Sequence, residues 1–174
     1  MGFQIKNVML MSEPKETNVK GTFIATKAFL KHTGDTPSAP TTIINVISMS
    51  TQGVAPGLSS YSSAKLAVCK FTQFLASEHP TITSINIDPG IVATDMAHSV
   101  PYLAPFTGDT PELAGGTAVW LSSGDKAFLS GKYVSVCWDV EELESRKEEL
   151  KESKLLTFRL DGEFGGPDVT VEKV

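Results

Sequence analysis

Residues 43–48 read IINVIS, an apolar run that is interrupted by one asparagine and ends in a serine. An apolar run without alternation is typical of a strand covered on both faces, as in a parallel sheet. We therefore expect a strand over residues 42–47, with Ser48 at its carboxyl end. Open α/β sheets bind their ligands at the carboxyl ends of strands, so the Ser48 hydroxyl is a candidate site group.

Helical and apolar extended segments alternate on both sides of this strand. The expected elements are a helix from Asn18, a helix from Tyr61 to Glu78, a strand at 84–87, a helix at 111–121 capped by Thr110, and a strand at 132–136. Such alternation indicates right-handed crossovers between parallel strands. The predicted fold class is α/β, a partial doubly wound parallel sheet with flanking helices.

Tyr61 and Lys65 lie four residues apart in the second predicted helix, so their side chains share one face. A free tyrosine, with a pKa of about 10, holds its proton too tightly for acid–base catalysis near neutrality. A nearby cation favours the phenolate and lowers the pKa. Together with Ser48, the pair predicts proton transfer to or from a carbonyl or carbinol oxygen.

Composition excludes several classes of protein. The 174 residues carry a net charge of -5 with 41% hydrophobic residues, which is typical of one soluble globular domain without a nucleic-acid surface. No apolar run approaches the roughly 18 residues of a membrane span. Cys69 and Cys137 are too few for a disulfide framework, and His32, His79 and His98 have no metal-ligand spacing. We expect a cytoplasmic protein with no metal, no nucleic acid and no membrane partner.

The carboxyl-terminal part differs from the rest. Residues 141–154 contain six Glu and four Lys or Arg, which predicts a solvated helix with ion pairs one turn apart. Residues 155–174 are expected to form an extra strand followed by a disordered tail. The predicted organisation is a domain over residues 1–138 and a charged helical extension with a tail over residues 139–174.

Several short motifs occur in a fixed order between residues 18 and 136. They are Asn18-Val19-Lys20-Gly21, Ser48 at its strand end, Tyr61-x-x-x-Lys65, Asp88-Pro89-Gly90-Ile91-Val92-Ala93-Thr94, and Ser130-Gly131-Lys132-Tyr133-Val134. In this order they resemble the short-chain dehydrogenase/reductase (SDR) family. The resemblance implies that residues 1–138 are a truncated SDR-like Rossmann domain.

The resemblance also implies catalytic roles. Tyr61 is expected to be the acid–base catalyst, and Lys65 to lower its pKa and hold the ribose of a nicotinamide cofactor. Ser48 is expected to hydrogen-bond the substrate oxygen and steady its charge. The Asn18 main chain is expected to hold a water of the proton relay from Lys65.

Further residues are implied in cofactor binding. Tyr61 and Lys65 contribute to this set, and Pro89, Gly90, Val92 and Thr94 match the turn that packs on the nicotinamide. The implied cofactor is NAD or NADP. The family's glycine-rich turn, which receives the pyrophosphate at a helix amino terminus, has no counterpart before Asn18, where Gly2 is the single glycine. We therefore expect an exposed apolar edge and weak cofactor anchorage, which puts the activity of this chain alone in question.

The motifs and the missing glycine-rich turn are compatible with three alternative functions. The first is an NAD(P)-dependent oxidoreductase acting on CH–OH groups, and the second is a cofactor-independent lyase, isomerase or cyclase that uses Ser48, Tyr61 and Lys65. The third is a non-catalytic remnant acting through a partner chain. The expected partners are a second copy or a related chain, and a small-molecule substrate. Aromatic side chains in the predicted binding loop, residues 91–110, indicate an apolar or aromatic substrate.

Overall fold

The computed structural model describes residues 15–34, 40–160 and 162. A π-helical turn, Lys15–Lys20, leads into α1. The helices and strands are α1 (Gly21–Thr33), β1 (Thr41–Val46), α2 (Ser59–Glu78), β2 (Ile82–Asp88), α3 (Asp95–His98), α4 (Pro111–Ser122), β3 (Tyr133–Ser135), α5 (Val140–Ser145) and α6 (Lys147–Glu152). Short 3₁₀ turns lie at Met49–Thr51, Pro101–Phe106 and Ala127–Leu129.

The three strands of the described residues form one parallel sheet in the order β1-β2-β3. Val46 pairs in register with Ile87 of β2, and Val134 of β3 pairs with the same Ile87 on the other side. The α/β fold class and the parallel sheet with flanking helices are therefore confirmed. The helix expected from Asn18 begins three residues later, at Gly21, after the π-helical turn, and the other elements begin and end within two residues of the expected positions. Thr110 caps α4 by accepting a hydrogen bond from the Leu113 N–H.

The core is formed by the central and last strands rather than by β1. Ile85, Ile87 and Val134 are almost fully buried together with Leu121 of α4 and Leu129. A second cluster packs the residue after β1 against α2 and β3, and its members are Ile47, Val68, Cys69 and Tyr133. The site residues therefore stand on a well-packed base at one end of the sheet.

β1 has an outer edge, which we define as its side facing away from β2. The Ile47 N–H donates to the Ile87 carbonyl of β2 at 2.8 Å. Because neighbouring residues of a strand point their backbone groups to opposite sides, the Val46 carbonyl points to the outer edge. The Val46 side chain is 53% exposed, as are large parts of Phe23 and Ile24 on α1. The expected exposed apolar edge is present in the described part of the chain.

The charged extension forms two short helices, α5 and α6, that meet at Arg146. Arg146 pairs with Glu149 at 2.8 Å and with Glu142 at 3.9 Å, which agrees with the ion pairs expected one turn apart. The extra strand expected from residue 155 is wrong for residues 155–160, which form a turn and an irregular segment. The expected disorder falls on residues 161 and 163–174, which lie outside the described residues.

The segment after α6 contacts the sheet through its backbone and one ring. The Tyr133 N–H donates to the Leu156 carbonyl at 2.8 Å, and the Phe158 ring lies 6.0 Å from the Tyr133 ring. This return of the chain covers the second core cluster. Among the described residues, no helix has the length and apolar character needed to cross a membrane.

Candidate functional site

Ser48 follows the carboxyl end of β1 in extended backbone conformation and caps the 3₁₀ turn Met49–Thr51. Its hydroxyl oxygen accepts a hydrogen bond from the Ser50 N–H at 3.2 Å. Its carbonyl accepts from the Thr51 hydroxyl at 2.7 Å. The sequence therefore ends the strand with a tightly bonded turn that presents the serine at the rim of the sheet.

Tyr61 and Lys65 project from the first turns of α2 toward this rim. The Lys65 ammonium lies 5.7 Å from the centre of the Tyr61 ring and donates a hydrogen bond to the Val46 carbonyl at 2.9 Å. Lys65 thus joins α2 to the outer edge of β1, two residues before Ser48. The structure brings Ser48, Tyr61 and Lys65 together, as the sequence predicts.

Burial dominates the electrostatics of the pair. It raises the pKa of Tyr61 above its ordinary value, with a smaller upward contribution from the Asp88 charge, while a side-chain hydrogen bond with Ser48 acts in the opposite direction. Burial also lowers the pKa of Lys65. The expectation of a lowered Tyr61 pKa is not met in this structure, because partial burial of the phenol outweighs the effects that favour its ionised form.

Asn18 lies in the π-helical turn before α1. Its carbonyl accepts a hydrogen bond from the Thr22 hydroxyl at 2.6 Å. Within the described residues, it makes no hydrogen bond with Ser48, Tyr61 or Lys65. Its role in a proton relay stays a prediction.

The turn after β2 is shaped by Asp109. The carboxylate of Asp109 accepts from the Ile91 N–H at 2.7 Å, and a parallel bridge joins Val92 to Asp109. Gly90 has a φ of 75°, and a Cβ on it would collide with the Asp109 carboxylate. Gly90 is therefore required by its backbone conformation and by Asp109, whether or not a ligand packs on it.

The rest of the turn leads into the predicted binding loop. The Val92 carbonyl accepts from the Thr94 N–H at 2.8 Å, and the Thr94 hydroxyl caps α3 by accepting from the Ala97 N–H at 3.3 Å. Pro89 follows the buried Asp88. The cofactor-binding roles of Pro89, Gly90, Val92 and Thr94 stay predictions.

Sequence reasoning missed two carboxylates of this region. Asp88 is 4% exposed, and it accepts hydrogen bonds from the Tyr133 hydroxyl at 2.8 Å and from the Met49 N–H at 3.0 Å. Asp109 anchors the start of the predicted binding loop through the Ile91 N–H. The available signal was the position of Asp88 between an apolar strand and a Pro-Gly turn, where a charged residue needs partners when buried.

Comparison with known proteins decides the family. Residues 7–102 match the short chain dehydrogenase family. The chain belongs to this family. Its relatives include the short chain dehydrogenases mpl6 of Monascus purpureus and andI of Emericella variicolor, each 36% identical, over 83% and 81% of this chain. The chain spans about half the length of these relatives, 50% and 49%.

Solved structures show the same fold. A short chain dehydrogenase from Salmonella enterica superposes with a TM-score of 0.67 over 75% of this chain and 54% of its own, at 22% identity. A gluconate 5-dehydrogenase from Burkholderia cenocepacia gives a TM-score of 0.63 over 77% of this chain and 56% of its own, at 19% identity. The SDR fold expected from the sequence is therefore confirmed for the part that this chain shares with them.

Proposed function

We propose that this chain carries the catalytic end of an NAD(P)-dependent oxidoreductase that interconverts a carbonyl and an alcohol. The observation that carries the proposal is the meeting of Ser48, Tyr61 and Lys65 at the carboxyl end of β1. Open α/β sheets hold their ligands at this end. Family membership supports the reaction class.

Tyr61 and Ser48 have different roles in the proposed reaction. The phenol of Tyr61, with its pKa above the ordinary value, stays protonated at neutral pH and can give its proton to a carbonyl oxygen. The Ser48 hydroxyl would hold the same oxygen while its negative charge develops. The protonated phenol is the form that carbonyl reduction needs, and the rate of alcohol oxidation should rise with pH because that direction needs the phenolate.

The residues present fit the nicotinamide end of a dinucleotide. An ammonium group has three N–H donors, and Lys65 uses one of them, on Val46, in the described part of the chain. The remaining donors suit the neighbouring hydroxyls of a ribose, beside Tyr61. When bound, the cofactor would supply or accept the hydride. Neighbours of this fold include a complex with NADP and tartrate and a complex with NADPH.

The binding loop supports a substrate with apolar or aromatic groups. It contains α3 and the 3₁₀ turn Pro101–Phe106, in which Tyr102 and Phe106 are 46% and 66% exposed. The Tyr102 hydroxyl donates to the Pro56 carbonyl at 3.2 Å, which ties the loop to the segment before α2. Exposed rings beside the site offer the surface that such a substrate would cover.

The decisive experiment measures reduction of a set of apolar and aromatic ketones by the 174-residue chain, with NADH, with NADPH and without either. Oxidation of the dinucleotide that depends on both ketone and protein supports the proposal. Turnover without dinucleotide that is lost in Tyr61→Phe would replace it with the cofactor-independent lyase, isomerase or cyclase. Dinucleotide binding can be followed separately by quenching of Trp138 in a Trp120→Phe variant.

One observation favours a second candidate, in which the chain works through a partner. At the outer edge of β1, the Lys65 side chain donates to the Val46 carbonyl, which in a larger sheet would accept from a backbone N–H of a further strand. Large apolar side chains on α1 and α2, including Ile24 (59% exposed) and Phe74 (53% exposed), lie on the surface. A second copy or a related chain could cover these groups.

Sedimentation tests this candidate. If a partner copy covers α1, Ile24→Lys should convert an oligomer to a monomer, whereas Val119→Lys on α4, whose parent side chain is 66% exposed, should not. A monomer in both the parent chain and the variants would contradict self-association. The cytoplasmic location stays a prediction.

A further inference from the structure

A buried carboxylate lies at the end of β2, beside the end of β1 that Ser48 follows, and takes no direct part in the proposed reaction. Asp88 ends β2 with 4% exposure, and each of its oxygens accepts one hydrogen bond. Oδ2 accepts from the hydroxyl of Tyr133, which is 5% exposed, and Oδ1 accepts from the Met49 N–H. Two donors make this burial tolerable.

The Met49 N–H is the link to the site. Met49 is the first residue of the turn that Ser48 caps, and the Ser48 hydroxyl and carbonyl are themselves bonded inside that turn. A bond from Met49 to Asp88 therefore ties the whole turn to the end of β2. Tyr133 in turn ties the carboxylate to β3, since its phenol points at the same group.

We propose that Asp88, held by Tyr133, is a positioning residue that fixes the Ser48 turn relative to Tyr61, an inference that rests on the proposed function. The carboxylate acts in two ways. Its hydrogen bond to Met49 sets the place of the Ser48 hydroxyl, and its negative charge opposes ionisation of Tyr61. The arrangement holds the Ser48 turn in place beside Tyr61, and the Asp88 charge adds to the effect of burial on the phenol.

Other groups around Tyr61 act at the same time. Lys65 on α2 holds its ammonium 5.7 Å from the ring, Ser48 after β1 hydrogen-bonds the phenol, and Tyr133 on β3 shares Asp88 with the Ser48 turn. A test must therefore separate the charge of Asp88 from the bonds that it makes. Asp88→Asn removes the charge, and Tyr133→Phe removes one bond while leaving the charge.

Two readouts on the full chain are independent of turnover. The rate of hydrogen–deuterium exchange at the Met49 amide reports how firmly the Ser48 turn is held. The pKa of Tyr61 is read from a carbon-13 NMR titration, for which the hydroxyl-bearing ring carbon of each tyrosine is labelled. The three tyrosines are assigned with single Phe variants. Neither readout requires cofactor or substrate, so a failure of the proposed reaction cannot be mistaken for a failure of this inference.

In Asp88→Asn we expect Met49 exchange to become about fivefold to tenfold faster, because a charge-assisted bond is replaced by a neutral one. The pKa of Tyr61 should fall slightly, because burial still raises it while the smaller upward contribution of the Asp88 charge is gone. In Tyr133→Phe, Met49 exchange should rise by a smaller factor and the pKa of Tyr61 should not fall.

Asp125→Asn is the matched control. Asp125 also accepts from one backbone N–H, that of Ala127, and from one side chain, that of Lys147, but it lies at the surface. It should change neither readout. A folded Asp88→Asn with both readouts as in the parent chain overturns the inference. If Asp88→Asn does not fold, Met49 exchange in Tyr133→Phe equal to that of the parent chain overturns it instead.

Discussion

The two neighbours of Ile87 show how differently the two sides of the sheet are constructed. On one side Val134 of β3 is fully buried under α4 and the carboxyl-terminal helices. On the other side Val46 of β1 is 53% exposed, and its carbonyl is bonded by the Lys65 side chain. The buried side carries Asp88, which accepts a hydrogen bond from the turn of the candidate residue Ser48, and the exposed side is where the described chain offers little cover. The candidate site residues can thus be brought together while the outer edge of β1 stays open.

A pair of substitutions compares these two valines directly. Val134→Ala should lower the free energy of unfolding by about 2 to 3 kcal/mol, because it removes buried methyl groups and leaves a cavity. Val46→Ala should cost less than about 0.5 kcal/mol, because its side chain is already in contact with water. Urea denaturation measures both. Equal losses would show that the outer edge of β1 is covered in solution.

A more moderate effect concerns alkaline pH and the buried side. Burial raises the pKa of Cys69 from 9.0 to about 12, and it also raises the pKa of Tyr133. Groups with a raised folded-state pKa stabilise the fold below their unfolded-state pKa, and this stabilisation is lost as pH rises toward the folded value. Stability should therefore fall above about pH 9.

Cys69→Ala isolates the thiol in this pH dependence. Between about pH 8 and pH 10 the parent chain should lose about 1 to 1.5 kcal/mol more than the variant does. Lys132, whose pKa is lowered by burial, acts in the opposite direction equally in both proteins, so its effect cancels in the comparison. Lys65 interacts with the charge of Cys69, so the measured difference includes that interaction. The free energies of unfolding are obtained from denaturation curves. If they differ between the two proteins by the same amount at both pH values, the Cys69 thiol is in contact with water in the folded state.

The finest contrast lies between two glycines with positive φ. Gly57 has a φ of 87° and open space where a Cβ would stand, whereas Gly90 has a φ of 75° and faces the Asp109 carboxylate. Gly57→Ala should cost about 1 kcal/mol from backbone strain alone, and Gly90→Ala about 1 kcal/mol more. Thermal unfolding of both variants measures the difference. Identical losses would mean that Asp109 moves aside without cost.

The sequence predicted the features that depend on local pattern. Three features follow from the nearest residues in the chain. They are the strand formed by the apolar run at 43–47, the shared helix face of Tyr61 and Lys65, and the start of α4 at the Thr110 cap. It could not predict the features that depend on distant partners. The bond of Lys65 to Val46 and the placement of Asp88 against Tyr133 join residues 19 and 45 positions apart.

Dependence on distant partners also explains why the expectation of a lowered Tyr61 pKa is not met. A lysine one turn away favours a lowered pKa, but the burial that raises it comes from packing that no local pattern shows. The strand expected after residue 155 is wrong for a related reason, because the place of this segment is set by its contacts with Tyr133.

The proposed role of Tyr61 as the proton donor of a site assembled within this chain can be tested by a single comparison. The rate of ketone reduction is measured for the parent chain and for Tyr61→Phe at saturating dinucleotide, with folding of both confirmed by circular dichroism. We expect the variant to be at least about a hundredfold slower, because it lacks the hydroxyl that donates the proton. Equal rates in the two proteins would show that Tyr61 is not the donor.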